Sequence, residues 1–266
     1  MKHAILLILT FYLSEFTNAQ FSTKVKNEYS KNVGDSFEIY ISVPNTFSPY
    51  ETYDIIYYLD ANLKSGLQLR ELLSSDTYNT KLKHKIFVGI GHIGNYHVLR
   101  RRDFILPYIK GNDTSGRDFN YGQTEKFYQY LNQELIPSIN SKFKTNTDSN
   151  CIIGHSLGGL FAFYCLFKSN NLFVKYFALS PALWVDNYSI YRFNKIEEGF
   201  NNKKYLYFVS GSKETKNKIL SGTNQAKRFL DKMNYRNLYY EYKICIGKTH
   251  NSEVKISLEK ILNEKL

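Results

Sequence analysis

Ser156, Glu214 and His250 each stand just beyond an apolar, strand-like run, and together they have the types needed to move an acyl group. A serine hydroxyl is a weak nucleophile until a neutral imidazole takes its proton. A carboxylate on the other ring nitrogen fixes the tautomer and stabilises the imidazolium that forms. Ser156 lies in Cys151-Ile152-Ile153-Gly154-His155-Ser156-Leu157-Gly158-Gly159. This stretch reads as a short strand that turns sharply at the serine and enters a helix, with Gly154 and Gly158 completing a G-x-S-x-G pattern. A serine on so tight a turn is strained, and glycine two residues to either side removes the collisions. The helix beginning there leaves backbone N–H groups without intrahelical acceptors, ready for an oxyanion.

The partners follow in chain order. Glu214 comes after Tyr205-Leu206-Tyr207-Phe208-Val209, where Gly211 allows a turn, and His250 comes after a strand read over 238–246. Asp186, two residues past Trp184, is the alternative acid. Of the other histidines, His155 adjoins the serine with its side chain directed elsewhere, and His84, His92 and His97 all precede the elbow. One oxyanion donor is expected at the Leu157 N–H. The second is expected in the loop after Leu59-Asp60, at Ala61 or Asn62, with Asp60 capping that turn through bonds to backbone N–H groups. Arg100-Arg101-Arg102-Asp103 admits two readings: a solvated or internally paired run that pins its loop, or a cationic wall beside the serine. On the second reading Arg101, Arg102 and Trp184 are the candidate substrate contacts. No C-x-x-C or H-E-x-x-H occurs, so no metal site is implied.

The elements that must position these groups alternate between strand and helix. Residues 22–43 suggest two strands about Asn32-Val33-Gly34-Asp35. Tyr53 to Asp60 and Ile86 to Gly91 are nearly continuous apolar runs, as in central strands buried on both sides. Helices are expected around Leu67–Ser74, over Glu125–Phe143 with a kink or break at Pro137, after the elbow, and over Asn217–Met233. Residues 92–122 show little periodicity and read as a long functional loop, and 185–202 as an irregular or helical excursion. Glycine at the strand ends and no internal repeat or linker argue for one doubly wound sheet over 20–266, mostly parallel, with an antiparallel N-terminal edge.

Composition narrows the class. At 266 residues with 43% hydrophobic and 16% aromatic content, the chain has ample core for one α/β domain and is not disordered. The net charge of +11 comes from scattered lysines without a nucleic-acid motif. It is read mainly as a solubilising surface, and secondarily as attraction for an anionic substrate. Lys2, the apolar run Ala4 to Leu13 and the small residues Thr17-Asn18-Ala19 form a leader over 1–19 with Gln20 as the new terminus. The expectation is export to the periplasm or beyond, with no stable membrane insertion, because the run is too short to span a bilayer. Cys151, Cys165 and Cys245 sit among apolar neighbours and read as small buried hydrophobes, although a disulfide between two of them is open.

With these residues assembled, the chain resembles the esterase family of α/β-hydrolases that takes in enterochelin-type siderophore esterases, S-formylglutathione hydrolases and feruloyl esterases. The matching stretches are YYLDAN, RRRDF, the helix with ELIPSI, GHSLGGLFAFYCLF, SPALW, the strand with SGSKE and the terminal TH, and they span the chain from about residue 22. The run from ELIPSI through SPALW looks most like the exported catecholate-siderophore branch. The resemblance implies Ser156 as nucleophile, His250 as base, Glu214 as acid, an acyl-enzyme, no cofactor and a small ester substrate. Ala61 departs from the family's usual glycine after the aspartate, and Ile105-Leu106-Pro107 replaces its threonine-proline. These departures bear on the oxyanion geometry and the substrate. A ferric catecholate ester, a phenolic or acetylated sugar ester, and a non-catalytic binding role remain alternatives at this point.

Overall fold

A computed structural model describes residues 20–78, 81–107, 121–168 and 171–266. The leader read over 1–19 lies outside the described residues. The strands β1 (Phe21–Ser30), β2 (Asp35–Pro44), β3 (Asp54–Leu59), β4 (Lys85–His92), β5 (Cys151–His155), β6 (Lys175–Leu179), β7 (Gly199–Gly211) and β8 (Arg236–Cys245) form one eight-stranded sheet in the order β1-β2-β4-β3-β5-β6-β7-β8. β2 runs antiparallel to both β1 and β4, and every other pairing is parallel, which is the antiparallel N-terminal edge that the sequence suggested.

Alternate residues of the central strands feed two separate cores. Ile55, Tyr57 and Leu59 of β3 pack with Ile152, Tyr176, Ala178, Leu206 and Phe208 on one face. Helix α2 (Tyr96–Phe104), α3 (Thr124–Tyr130), α4 (Ile136–Lys142), α5 (Leu157–Phe167) and α7 (Ile219–Met233) contribute Phe104, Phe127, Ile139, Phe161 and Leu230 to that side. Ile56, Tyr58, Ile153, Phe177, Tyr207 and Val209 face the other way, against α1 (Lys64–Leu73) and α8 (Val254–Lys260). Burial on both faces is why these strands read as unbroken apolar runs. The chain leaves β3 toward β4 and later returns to place β5 on the other side of β3. The carboxyl ends of β3 and β5 therefore form a topological switch point, where open α/β sheets place their ligands.

Two regions differ from the sequence reading. Within the supposed loop 92–122, residues Tyr96–Phe104 form α2, and residues 108–120 lie outside the described residues. Its apolar periodicity is weak because ion pairs hold it: of its residues only Asp103 and Phe104 are buried. Arg100 makes a bidentate pair with Asp60 at 2.6 and 2.8 Å. Arg102 binds Asp103 at 2.7 and 2.9 Å and Asp35 at 2.6 Å, and Asp103 in turn meets His92 at 3.0 Å. The expected break at Pro137 takes the form of a π-helical turn, Leu131–Leu135, between α3 and α4. That turn absorbs a proline that has no N–H to give. Between β6 and β7, α6 (Val185–Tyr188) is a single turn in which Asp186, Asn187 and Tyr188 take left-handed φ values of 54, 52 and 60°. Among the described residues no helix is long and apolar enough to cross a membrane.

The Arg100–Asp60 pair anchors α2 to the loop after β3, and Asp60 is only 1% exposed. Removing the guanidinium strands a buried carboxylate, so Arg100→Ala should lower the unfolding free energy by about 3 kcal/mol in urea titrations. An unchanged midpoint would show that the pair contributes nothing.

Candidate active site

The elbow is built as its sequence requires. Ser156 has φ 58° and ψ −114°, held by its N–H to Leu179 O (2.9 Å) and by Leu160 and Ala182 N–H groups on its own carbonyl (both 3.0 Å). A Cβ on Gly154 would lie 2.1 Å from the Gly158 carbonyl oxygen, so no other residue fits there. On the helix side the tight glycine is Gly159, whose Cβ would meet Pro181 at 2.9 Å. Gly158 has 3.4 Å to Asp60 and is the less demanding of the two. Leu157 opens α5, so its N–H has no intrahelical acceptor and lies beside the serine.

Glu214 and His250 come together because Gly211 lets two loops touch: a Cβ there would sit 2.3 Å from the Lys248 carbonyl oxygen. His250 Nδ1 is 2.7 Å from Glu214 Oε2. Glu214 is 2% exposed, and burial by itself would raise its pKa. Hydrogen bonds from His250, Ser180 and the Gly211 N–H outweigh that and hold the carboxyl below the usual carboxylate range. An ionised Glu214 places the imidazole proton on Nδ1 and leaves the Nε2 lone pair to accept another. Asp186, the alternative acid, sits in the left-handed turn of the cavity wall, and the carboxylate on His250 is that of Glu214.

Ser156, Leu157 and His250 open together into a cavity of about 500 Å³, lined also by Arg101, Ile105, Tyr121, Trp184 and Ile219. Of the three arginines, Arg101 faces this cavity, with its guanidinium 5.9 Å from the Tyr121 ring centroid. Arg102, expected as a second substrate contact, is instead bound to Asp103 and Asp35 and pins α2, so the paired reading describes Arg100 and Arg102, and Arg101 alone of the three lines the cavity. A larger cavity of about 730 Å³ opens at the opposite, amino-terminal edge of β6 and β7. Its Lys175 and Lys204 bond to main-chain carbonyls of Lys265 and Phe173, and no nucleophile–base pair lines it. Of these two cavities, the one at the serine is lined by both a serine and a histidine, and the other by neither.

Ala61 does not supply the second oxyanion donor. It is fully buried and its N–H donates to Ile90 O at 3.0 Å, which leaves Asn62 as the candidate in that loop. Asp60 does not cap the turn through its side chain either, because both carboxylate oxygens hold Arg100. The three cysteines are free. Cys151 and Cys165 are buried, and burial pushes the Cys151 thiol up to about 12, whereas Cys245, expected to be buried as well, is half-buried at the end of β8. Among the described residues no cluster of His, Cys, Asp and Glu could hold a metal ion.

Sequence reasoning passed over His155, Ser180 and Glu253. His155 Nε2 is 2.9 Å from the His250 main-chain carbonyl, and the two rings lie 4.5 Å apart. A carbonyl only accepts, so His155 carries its proton on Nε2 and holds the His250 main chain. Ser180, whose hydroxyl donates to Glu214 at 2.6 Å, lies in the SPALW stretch that carried family likeness but no stated role.

Fold and site define a class: the chain matches the family described as "Putative esterase" over residues 30–255 and belongs to it, as an α/β-hydrolase and serine esterase. Over 205 residues it is 30% identical to the ferri-bacillibactin esterase BesA of Bacillus subtilis, covering 74% of this chain and 67% of that protein. It is 28% identical over 153 residues to the apo-salmochelin esterase of Escherichia coli O6:H1, covering 55% and 47%. The chain thus spans about two thirds of the first relative and half of the second. The crystal structure of the BES protein from Bacillus cereus superposes with a TM-score of 0.77 at 27% identity, over 90% of this chain and 94% of that one.

Desolvation and the nearby His250 ring push the His155 pKa down to about 3. Below about pH 6.5 the unfolded chain takes up a proton there that the fold refuses, so stability falls as pH drops from 6.5 toward 4. Because His155 is partly exposed, we expect a loss of about 1–2 kcal/mol over that range. Thermal melts of His155→Asn should show correspondingly less acid sensitivity than the wild type, and parallel curves would refute the assignment.

Proposed function

We propose that the protein is an exported esterase that opens an anionic, catechol-bearing siderophore ester through Ser156, His250 and Glu214. The observation that carries this reading is the cavity that joins the serine and the base to one guanidinium, Arg101, and two aromatic rings, Tyr121 and Trp184. An arginine beside π faces suits a ligand that is both negatively charged and aromatic. Two further relatives are named as siderophore esterases, which supports the same substrate class here. The composition of residues 1–19 supports export, and it places Gln20 at the terminus of the mature protein.

On this reading the reaction runs through an acyl-enzyme. Ser156 Oγ attacks the ester carbonyl carbon while its proton passes to His250 Nε2. The charge arriving on the carbonyl oxygen is met by the Leu157 N–H, and by the loop at Asn62 as second donor. As the tetrahedral centre collapses, the carbon–oxygen bond to the leaving alkoxide breaks and the imidazolium protonates that alkoxide. Water then attacks the acyl-serine, His250 takes its proton, and the acid leaves with the serine restored. Throughout, the ionised Glu214 stabilises the transient imidazolium.

Hydrolysis of a ferric catecholate trilactone, its iron-free form, a feruloyl ester and p-nitrophenyl acetate separates the substrate readings. We expect the trilactone to be cleaved with the highest kcat/KM, and Ser156→Ala to lose at least about 10³-fold on every ester. Arg101→Ala should raise KM for the ferric trilactone about tenfold, equivalent to about 1.4 kcal/mol, and leave that for the neutral p-nitrophenyl ester unchanged. A feruloyl ester preferred over both trilactones would overturn the siderophore reading and leave the esterase standing. N-terminal sequencing of the exported protein should begin at Gln20, and retention in the cytoplasm would refute export.

A further inference from the structure

Behind the Glu214 carboxylate lies a second acid that the steps above do not use. Glu253, three residues past His250, is fully buried at the start of α8. Its Oε1 is 2.9 Å from Ser180 Oγ, and its Oε2 accepts from Ser257 Oγ at 2.7 Å. The same Ser180 Oγ is 2.6 Å from Glu214 Oε1. One hydroxyl thus bridges two carboxyl groups, and a hydroxyl has one proton.

Counting donors decides where the remaining proton must be. If both acids were ionised, Ser180 would donate to one and face the other as a bare pair of acceptors, buried and unsatisfied. Glu214 already has three donors, from His250 Nδ1, the Gly211 N–H at 2.6 Å and Ser180. Glu253 has the Ser257 hydroxyl. The other titratable groups facing it are the Tyr207 phenol from β7, the Cys245 thiol from β8 and Glu214 itself. Among the described residues no ammonium or guanidinium pairs with it. The proton that completes the bridge belongs on Glu253.

We propose that Glu253 is a positioning residue of the triad: as a neutral carboxylic acid it donates to Ser180 Oγ and thereby commits the Ser180 proton to Glu214. The inference rests on Glu214 and His250 acting as the catalytic acid and base. The resulting relay runs from Glu253 O–H to Ser180 Oγ and from Ser180 O–H to the Glu214 carboxylate, which also accepts from His250 Nδ1–H. It fixes the Glu214 oxygen that does not face the imidazole, and so the angle at which the other one does. Burial pushes the Glu253 carboxyl up to about 7, so the relay is intact in mildly acidic solution and is undone as pH rises. An ionised Glu253 draws the Ser180 proton to itself and sets a second negative charge beside Glu214.

The experiment is the pH dependence of kcat on p-nitrophenyl acetate, from pH 5.5 to 9, for the wild type, Glu253→Gln, Glu253→Ala, Ser180→Ala, the Ser180→Ala/Glu253→Ala pair and Glu214→Ala. A glutamine amide donates the same bond and never ionises. We therefore expect Glu253→Gln to stay within about threefold of the wild type at pH 6.5 and to exceed it several-fold at pH 8.5. Glu253→Ala should lower kcat about tenfold with KM unchanged, and should lower it no further once Ser180 is gone. Additive losses in the pair, a Glu253→Ala enzyme with wild-type kcat, or a Glu253→Gln profile superimposable on the wild type would each overturn the proposal. The last criterion decides the matter even if the alanine variant does not fold. Loss of kcat in Glu214→Ala beside any of these outcomes confines the failure to Glu253, whereas an active Glu214→Ala overturns the triad reading beneath it.

Discussion

Strands β3, β5 and β6 are buried on both faces, so at the centre of this sheet a polar side chain reaches solvent only at the strand ends. Everything else about the site follows from that constraint. The serine, the acid and the histidine come from the carboxyl ends of β5, β7 and β8, three connections far apart in sequence that the parallel order of the sheet delivers to one edge. The price is strain where the chain must reverse within a residue or two. Asp60, Ser156 and Ser180 all carry positive φ at strand ends, at 57, 58 and 42°.

That edge also gathers four buried carboxyl groups, each accommodated differently. Asp60 has a guanidinium, and Asp103 has an imidazole and a guanidinium. Glu214 has hydrogen-bond donors from a main-chain amide, a hydroxyl and the His250 ring. Glu253 is held by two serine hydroxyls, and burial raises its pKa so that it keeps its proton in mildly acidic solution. A buried carboxylate costs several kcal/mol unless it is paired or neutralised, so each solution is a condition for the fold as well as for the chemistry. The arginines of α2 illustrate the division of labour. Arg100 and Arg102 are structural because acids lie within their reach, and Arg101 between them turns to the cavity.

Much of this architecture was legible beforehand, for identifiable reasons. A strand buried on both sides must be apolar without interruption, and an elbow must have glycine at Gly154, so the sheet and the nucleophile announce themselves. Chain order then selected Glu214 and His250. The parts that stayed hidden depend on contacts between distant residues. The Ala61 N–H is lost to Ile90 by a turn that no local pattern encodes. Helix α2 is held by ion pairs to Asp60 and Asp35, so its own sequence lacks the apolar period that marks a helix. Ser180 and Glu253 look like an ordinary strand-end serine and a helix-start glutamate until the fold sets them 2.9 Å apart.

The left-handed turn at Asp186–Tyr188 has a consequence for how such an enzyme diversifies. It lies in the connection between β6 and β7, which carries Trp184 and one wall of the cavity but neither the serine, the histidine nor their carboxylate. Three successive non-glycine residues in this conformation store roughly 1–2 kcal/mol apiece. A segment held so far from its relaxed shape gains, rather than loses, from many replacements and length changes. Selection can therefore redraw the mouth of the cavity for a new ester while Ser156, Glu214 and His250, mounted on other connections, keep their register. Divergence of substrate range within one conserved chemistry is built into the wiring of the chain.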